Sequence, residues 1–269
     1  MPKKQDGASG KRRGGPAPEK DISSVLSGWE YEPGTINVRM ITGADGMPKI
    51  QMRLDLGLLQ MEIAGRPDGA KPHGCESWLE YIESLRDEHR TSHGSDEGFA
   101  LSAEQCQHLR EEALMYYHRY LSLFVLGEFH GVARDTARNL RAIDLCEQYA
   151  QEDEDKFALE QYRPYILMMN ARARASLALR RKNFERALRI VRRALRKIKA
   201  FFEKYGQEKA YRHANEVRLL KRFARDIKGR MPLDPLEYLQ RQLKSAVADE
   251  RYEDAARLRD EITKMGGSI

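Results

Sequence analysis

The feature that most narrows what this chain can fold into is a change in the period of its apolar residues. Early on they alternate: Ile36, Val38 and Met40 are interleaved with Asn37 and Arg39, and Ile50, Met52, Leu54 and Leu56 with Gln51, Arg53 and Asp55. A period of two is the signature of a strand buried on one face. Asp45-Gly46 between the two runs is a hairpin-turn signal. Gly57 interrupts the pattern before Leu58–Ile63 resumes it, which predicts a bulge or bend before a third strand or strand extension. Arg66-Pro67-Asp68-Gly69 closes the region as a turn.

From Ser77 onward the spacing becomes three and four, and the chain reads as helix. Ser77–Glu88 is a short amphipathic stretch carrying Trp78, Leu79, Ile82 and Leu85, followed by a loop over residues 89–100. Ser102 with Gln105 forms a capping box, opening a long helix to about Leu126. Gly127 breaks it, and a second helix runs to about Tyr149. The acidic run Gln151–Asp155 opens a third, where acids complement the helix dipole. Pro164 then either kinks that helix or lies just inside the start of the next. Asn183 opens a fourth helix ending near Gly206, and a fifth runs to Gly229. Asp234-Pro235 marks an N-cap and first turn, and two short helices divided near Arg251 complete the chain.

These signals predict a mainly α protein: an antiparallel helical array with a small N-terminal β-hairpin or meander and a C-terminal helical hairpin. We expect a disordered basic tail over residues 1–20, whose Gly, Pro, Lys and Arg cannot bury enough surface to offset the entropy of ordering. A small β element follows over 21–74, the helical array over 75–230 and the hairpin over 231–269. No run of about 18 apolar residues predicts a membrane span. The basic start lacks the apolar core of a secretory signal. Three scattered cysteines without a CxxC spacing argue for a reducing cytoplasm.

Charge is unevenly distributed. The formal net charge is +6, yet residues 171–230 carry 21 Lys and Arg against 5 Asp and Glu, while residues 144–160 carry seven acids and one lysine. Such blocks point to an acidic partner for the basic segment: DNA or RNA, an acidic protein, or the chain's own acidic residues. The candidate phosphate-binding residues are Arg181, Arg189, Arg192, Arg193, Arg196 and Lys199, on a segment that also holds Arg172 and Arg180.

Three segments recur: 126–140, 181–195 and 249–262. Each has a polar or Gly turn, then an aromatic (Phe129, Phe184, Tyr252), then a small or β-branched residue three or four positions on. The first two are similar to the middle of a tetratricopeptide repeat, where an aromatic fills the angle between paired helices and a small residue lets them approach. The spacing is irregular, so the resemblance implies a tetratricopeptide-like array without a regular tandem.

Residues 236–265, LEYLQRQLKSAVADERYEDAARLRDEITKM, resemble the UVR motif, a short helical hairpin shared by the nucleotide-excision-repair subunits UvrB and UvrC and by some regulators of Clp proteases. Leu239, Leu243, Ala246 and Val247 match its first helix. Tyr252, Glu253, Ala255, Ala256, Leu258, Arg259, Asp260 and Ile262 match its second, with Tyr252 where Phe is commoner. The resemblance implies docking onto a partner protein with a hairpin of the same type, or self-association. It does not extend to UvrB or UvrC themselves, since no P-loop or helix-hairpin-helix is present, nor to the Clp regulators, since their CxxC modules are missing. The stretch from Val38 to Gly69 is also similar to the start of small bacterial proteins known by this motif, a likeness that carries no activity.

No HExxH, GxGxxG or GxSxG motif occurs, and Asp55 and Glu62 lack partners for acid–base work. His89, His93 and Cys75 lack a fourth ligand at zinc-site spacing. His108, His118, His130 and His213 are scattered over helices. The reading is a non-enzymatic adaptor without metal or cofactor, linked to DNA repair or Clp-type proteolysis, with sequence-nonspecific nucleic-acid binding as its alternative.

Overall fold

The computed structural model describes residues 21–232 and 235–266. The basic tail and the Asp234 cap lie outside the described residues. The chain is mainly α-helical, with a small three-stranded antiparallel sheet near its start and a helical hairpin over its last described residues. It divides into two compact units, one formed by residues up to Asp135 with Gln148–Asp155, the other by Thr136–Glu147 and the chain from Lys156.

The first unit opens with a helical turn, α1 (Ser23–Leu26), and the meander β1 (Val38–Thr42), β2 (Pro48–Arg53) and β3 (Leu58–Glu62) in the order β1-β2-β3. Register places Met40 beside Ile50 and Ile50 beside Met61 on one face; Arg39, Gln51 and Gln60 align on the other. The apolar face buries Ile50, Met52 and Met61. The polar face is a cross-strand ladder. Arg39 Nε donates to Gln51 Oε1 at 2.8 Å, Gln51 Nε2 donates to Gln60 Oε1 at 2.9 Å, and the Arg39 guanidinium lies 4.0 Å over the Trp29 ring. The period-two reading thus holds, and the interruption at Gly57 takes the form of a bend leading into the third strand. No bulge forms there. Leu54 N–H donates to Gly57 O at 2.9 Å, closing a tight reverse turn, and Arg53 Nη1 donates to Gly57 O at 2.8 Å and also to Leu54 O. The guanidinium satisfies the turn carbonyls, and the bend over residues 55–57 carries the chain back into β3.

A 3₁₀ turn (Pro72–Gly74) leads to α2 (Trp78–His93), and α3 (Ala103–Val125) and the start of α4 (Phe129–Tyr149) complete the unit. Helix α2 continues five residues past the predicted end. Its polar last turn is solvent-facing helix rather than loop, with Thr91 Oγ1 donating to Asp87 O. It stops where Gly94 takes a left-handed conformation (φ 78°). Its start is capped twice: Ser77 Oγ accepts from Glu80 N–H, and the buried Glu112 carboxylate of α3 accepts from Trp78 and Leu79 N–H at 2.9 and 3.2 Å. The Ser102–Gln105 capping box forms as predicted. Sheet and helices are joined by Arg119, which is fully buried. It makes a two-pronged ion pair with Asp135 (2.7 and 2.9 Å) and donates to Glu62 O at the end of β3 at 3.0 Å.

The second unit contains the later part of α4, the end of α5 (Asp153–Glu160), then α6 (Arg163–Arg180), α7 (Phe184–Lys204), α8 (Glu208–His213), α9 (Asn215–Arg230), α10 (Pro235–Ala248) and α11 (Tyr252–Lys264). Pro164 lies in the first turn of α6, where its missing N–H costs nothing. Helix α6 buries Ala171, Ala173, Ala175 and Ala178, and small side chains allow α7 to approach closely. The predicted fifth helix is broken at Ala214, whose backbone is extended. Helix α8 buries no side chain, whereas the buried stripe of α9 starts at Val217, so no shared face holds the two in one line. Arg163 gathers Asp144, Glu147 and Glu160, and Lys204 joins Glu147 and Glu160. Burial raises the Glu160 carboxyl above its ordinary range, with Arg163 pulling it back.

The recurrence in the sequence has a common geometry. At Gly127, Lys182, Gly206 and Glu250 the backbone is left-handed (φ 76°, 55°, 63° and 57°). In each case the next residue's N–H reaches back five positions: Glu128 to Leu123 O, Asn183 to Ala178 O, Gln207 to Phe202 O and Arg251 to Ala246 O, at 2.8–2.9 Å. This is the Schellman helix stop. After three of these turns an aromatic begins the next helix, and the residue three beyond it (Val132, Ala187, Ala255) is buried.

Candidate functional site

Helices α10 and α11 have 14 and 13 residues, too short to be stable singly. Each therefore depends on the other, and they pack together. The turn between them is the Schellman stop at Glu250. Arg251 steadies it through Asp249 (3.3 Å) and Asp254 (3.0 Å), and Glu253 and Asp254 place negative charge in the first turn of α11.

The hairpin divides the residues singled out in the sequence into two sets. Ala246, Ala255 and Ile262 are buried between the helices, with Leu239, Leu243 and Leu258 half-buried beside them. This is the hairpin's own core, and full burial of Ile262 is worth about 1.5–3 kcal/mol. Val247, Tyr252, Glu253, Ala256, Arg259 and Asp260 are exposed instead. On α11, Tyr252, Ala256 and Arg259 follow steps of four and three, one outward stripe. Tyr252 is 69% exposed and Val247 52%. Phe129 and Phe184, at the equivalent corners of the earlier turns, are half-buried. Tyr252 is thus the corner aromatic left open to solvent. Tyr238 and Met265 add exposed apolar surface. They fall outside the positions that define the motif, so nothing in the pattern marked them.

The candidate phosphate-binding residues also separate. Arg181 is the C-cap of α6, apart from the others on α7. Helix α7 buries Ala187, Leu188, Val191, Ala194 and Ile198. By helical geometry Arg189, Arg192, Arg193 and Arg196 cluster on the opposite face, with Lys199 at its margin, and all five are exposed. Carboxylates bracket this stripe: Glu185 meets Arg189 at 3.5 Å and Glu203 meets Lys199 at 2.9 Å. Arg192, Arg193 and Arg196, between them, make no ion pair among the described residues.

The histidines imagined as zinc ligands are engaged otherwise. His89 and His93 stack on each other with ring centroids 4.2 Å apart, and a His89 ring nitrogen contacts Glu97 O at 2.8 Å. Cys75 Sγ lies 4.0 Å from His73 O. Among the described residues no three His, Cys, Asp or Glu side chains converge as a metal-ligand group, and no helix is long and apolar enough to cross a membrane.

No curated protein and no solved structure matches the chain. Residues 235–267, the span of α10 and α11, match the family model described as the UvrB/uvrC motif, so the hairpin built from these two helices is a UVR motif.

Proposed function

We propose that the protein is a non-enzymatic adaptor that docks a partner protein through the outward stripe of its UVR hairpin. The partner is a hairpin of the same type, on another protein or on a second copy of this chain. The observation that carries this reading is the division of the motif: its interior is filled by its own side chains, while Tyr252, Ala256, Val247 and Arg259 remain uncovered. An exposed aromatic beside a small residue suits a second helix pair, since the ring supplies contact area and the alanine permits close approach. The remaining helices, with tetratricopeptide-like corners at Phe129 and Phe184, serve as the scaffold. DNA repair and Clp-type proteolysis are the processes to which the motif points. A cytoplasmic setting fits three cysteines that form no disulfide.

The test separates the two faces of the hairpin. Self-association is measured by sedimentation equilibrium, and partner capture from a bacterial lysate, for the full chain and for a chain lacking residues 232–269. The cut should abolish both and leave the melting temperature of the rest little changed. Ala256→Glu should reproduce the loss with the hairpin still folded, because its carboxylate would be unpaired once covered. Arg259→Ala should weaken docking by about 1–3 kcal/mol if the guanidinium pairs across the interface. Should Ala256→Glu still capture every partner, or the shortened chain unfold, the hairpin is a structural element and the adaptor reading fails.

A further inference from the structure

We infer that the arginine face of α7 is a docking surface for the sugar–phosphate backbone of duplex DNA, independent of the UVR hairpin. The acidic segment of the chain itself is largely occupied elsewhere. Asp144, Glu147 and Glu160 are held by Arg163 and Lys204, and Asp155 pairs with Arg110. Arg192, Arg193 and Arg196 are left exposed without a carboxylate among the described residues. Three neighbouring cations on one helix face repel one another, and a polyanion relieves that repulsion.

The composition of the face selects among polyanions. Of the seven exposed cations on α7 from Arg186 to Lys199, namely Arg186, Arg189, Arg192, Arg193, Arg196, Lys197 and Lys199, five are Arg, whose planar fork matches a phosphate with two parallel N–H donors. Its exposed residues include no aromatic ring from Glu185 to Ala200, so there is no platform on which single-stranded bases could stack. Neither Asn nor Gln occurs between Phe184 and Lys204, so the amide pairs that read adenine are missing. What remains is recognition of backbone charge. From Arg189 to Lys199 the stripe is about 15 Å long at 1.5 Å per residue. B-DNA presents a charge every ~1.7 Å along its axis, more than these cations can neutralise. A helix about 10–12 Å across fits the B-form major groove, which is about 12 Å wide, whereas the A-form groove of double-stranded RNA is too narrow.

Fluorescence anisotropy of the full chain with a labelled mixed-sequence DNA duplex tests this. Binding should be measurable at about 50 mM salt and fall with salt at a log–log slope of roughly −6, as about seven neutralised phosphates require. The triple substitution Arg192→Glu, Arg193→Glu, Arg196→Glu should cut affinity at least about tenfold and bring the slope to roughly −3 to −4, since Arg186, Arg189, Lys197 and Lys199 remain. The neutral triple Arg→Gln, checked for helicity by circular dichroism, should flatten the slope equally, which separates lost charge from lost fold. No binding to the duplex, an unchanged slope in the triple variants, or tighter binding to polyglutamate or double-stranded RNA at equal charge would each overturn the assignment.

Discussion

At the scale of single residues, the most informative positions are two that break a local rule. Lys182 and Glu250 stand in the left-handed conformation that Gly127 and Gly206 occupy in the sister turns. A side chain there costs about 1–2 kcal/mol that glycine does not. Both are exposed, so nothing is lost when the side chain goes. Lys182→Gly and Glu250→Gly should each stabilise the protein, by about 0.5–1 kcal/mol once the greater freedom of glycine in the unfolded chain is subtracted. Urea melts of each variant check this, and lower midpoints would show that the side chains contribute something unseen. Residue-level chemistry also explains why the outward stripe of α11 was only half legible. Ala255 and Ala256 are adjacent and chemically identical, and from Tyr252 a step of three reaches one and a step of four the other. Only packing against α10 decides that Ala255 turns inward and Ala256 outward.

At the scale of elements, the meander depends on a buried charge. Arg119 sits without solvent contact between Asp135 and the Glu62 carbonyl, tying the end of β3 to α3 and α4. Arg119→Leu should cost about 3–5 kcal/mol, because Asp135 would keep a charge with Arg134 as its remaining cation. A melt that moves by less than a third of that would mean water or Arg134 replaces the guanidinium. The sequence displayed every strand and most helices, since period and caps are local properties. Ser102, Asn183 and Gly127 each announced a boundary through chemistry within four residues. Three things were not local. The polar end of α2 continues because a helix needs no apolar residue on its solvent side. The turn at Gly57 depends on where the Arg53 side chain goes. The break at Ala214 follows from which face of α9 the other helices cover.

At the scale of the whole molecule, the net charge of +6 is a poor guide, because it averages over a strongly basic segment and its acidic counterweights. Within that basic segment Arg189, Lys199 and Lys204 meet carboxylates, while the rest of the α7 stripe and the cations of α9 from Lys221 to Arg230 stay exposed. Mean composition could not reveal the remainder, whereas the block arithmetic along the chain did. The repeated helix stop carries a further implication, for the time the backbone spends open. Loop amides normally trade their protons with water quickly, yet Glu128, Asn183, Gln207 and Arg251 each hold theirs in a bond to a carbonyl five residues back. In native-state hydrogen exchange these four should behave as helix-interior amides, with protection tracking the local opening free energy of the hairpin each one closes. Rapid exchange at all four would contradict the closed turns. Differences among them would rank the hairpins by how readily each unlatches, a clock built into the chain at four points.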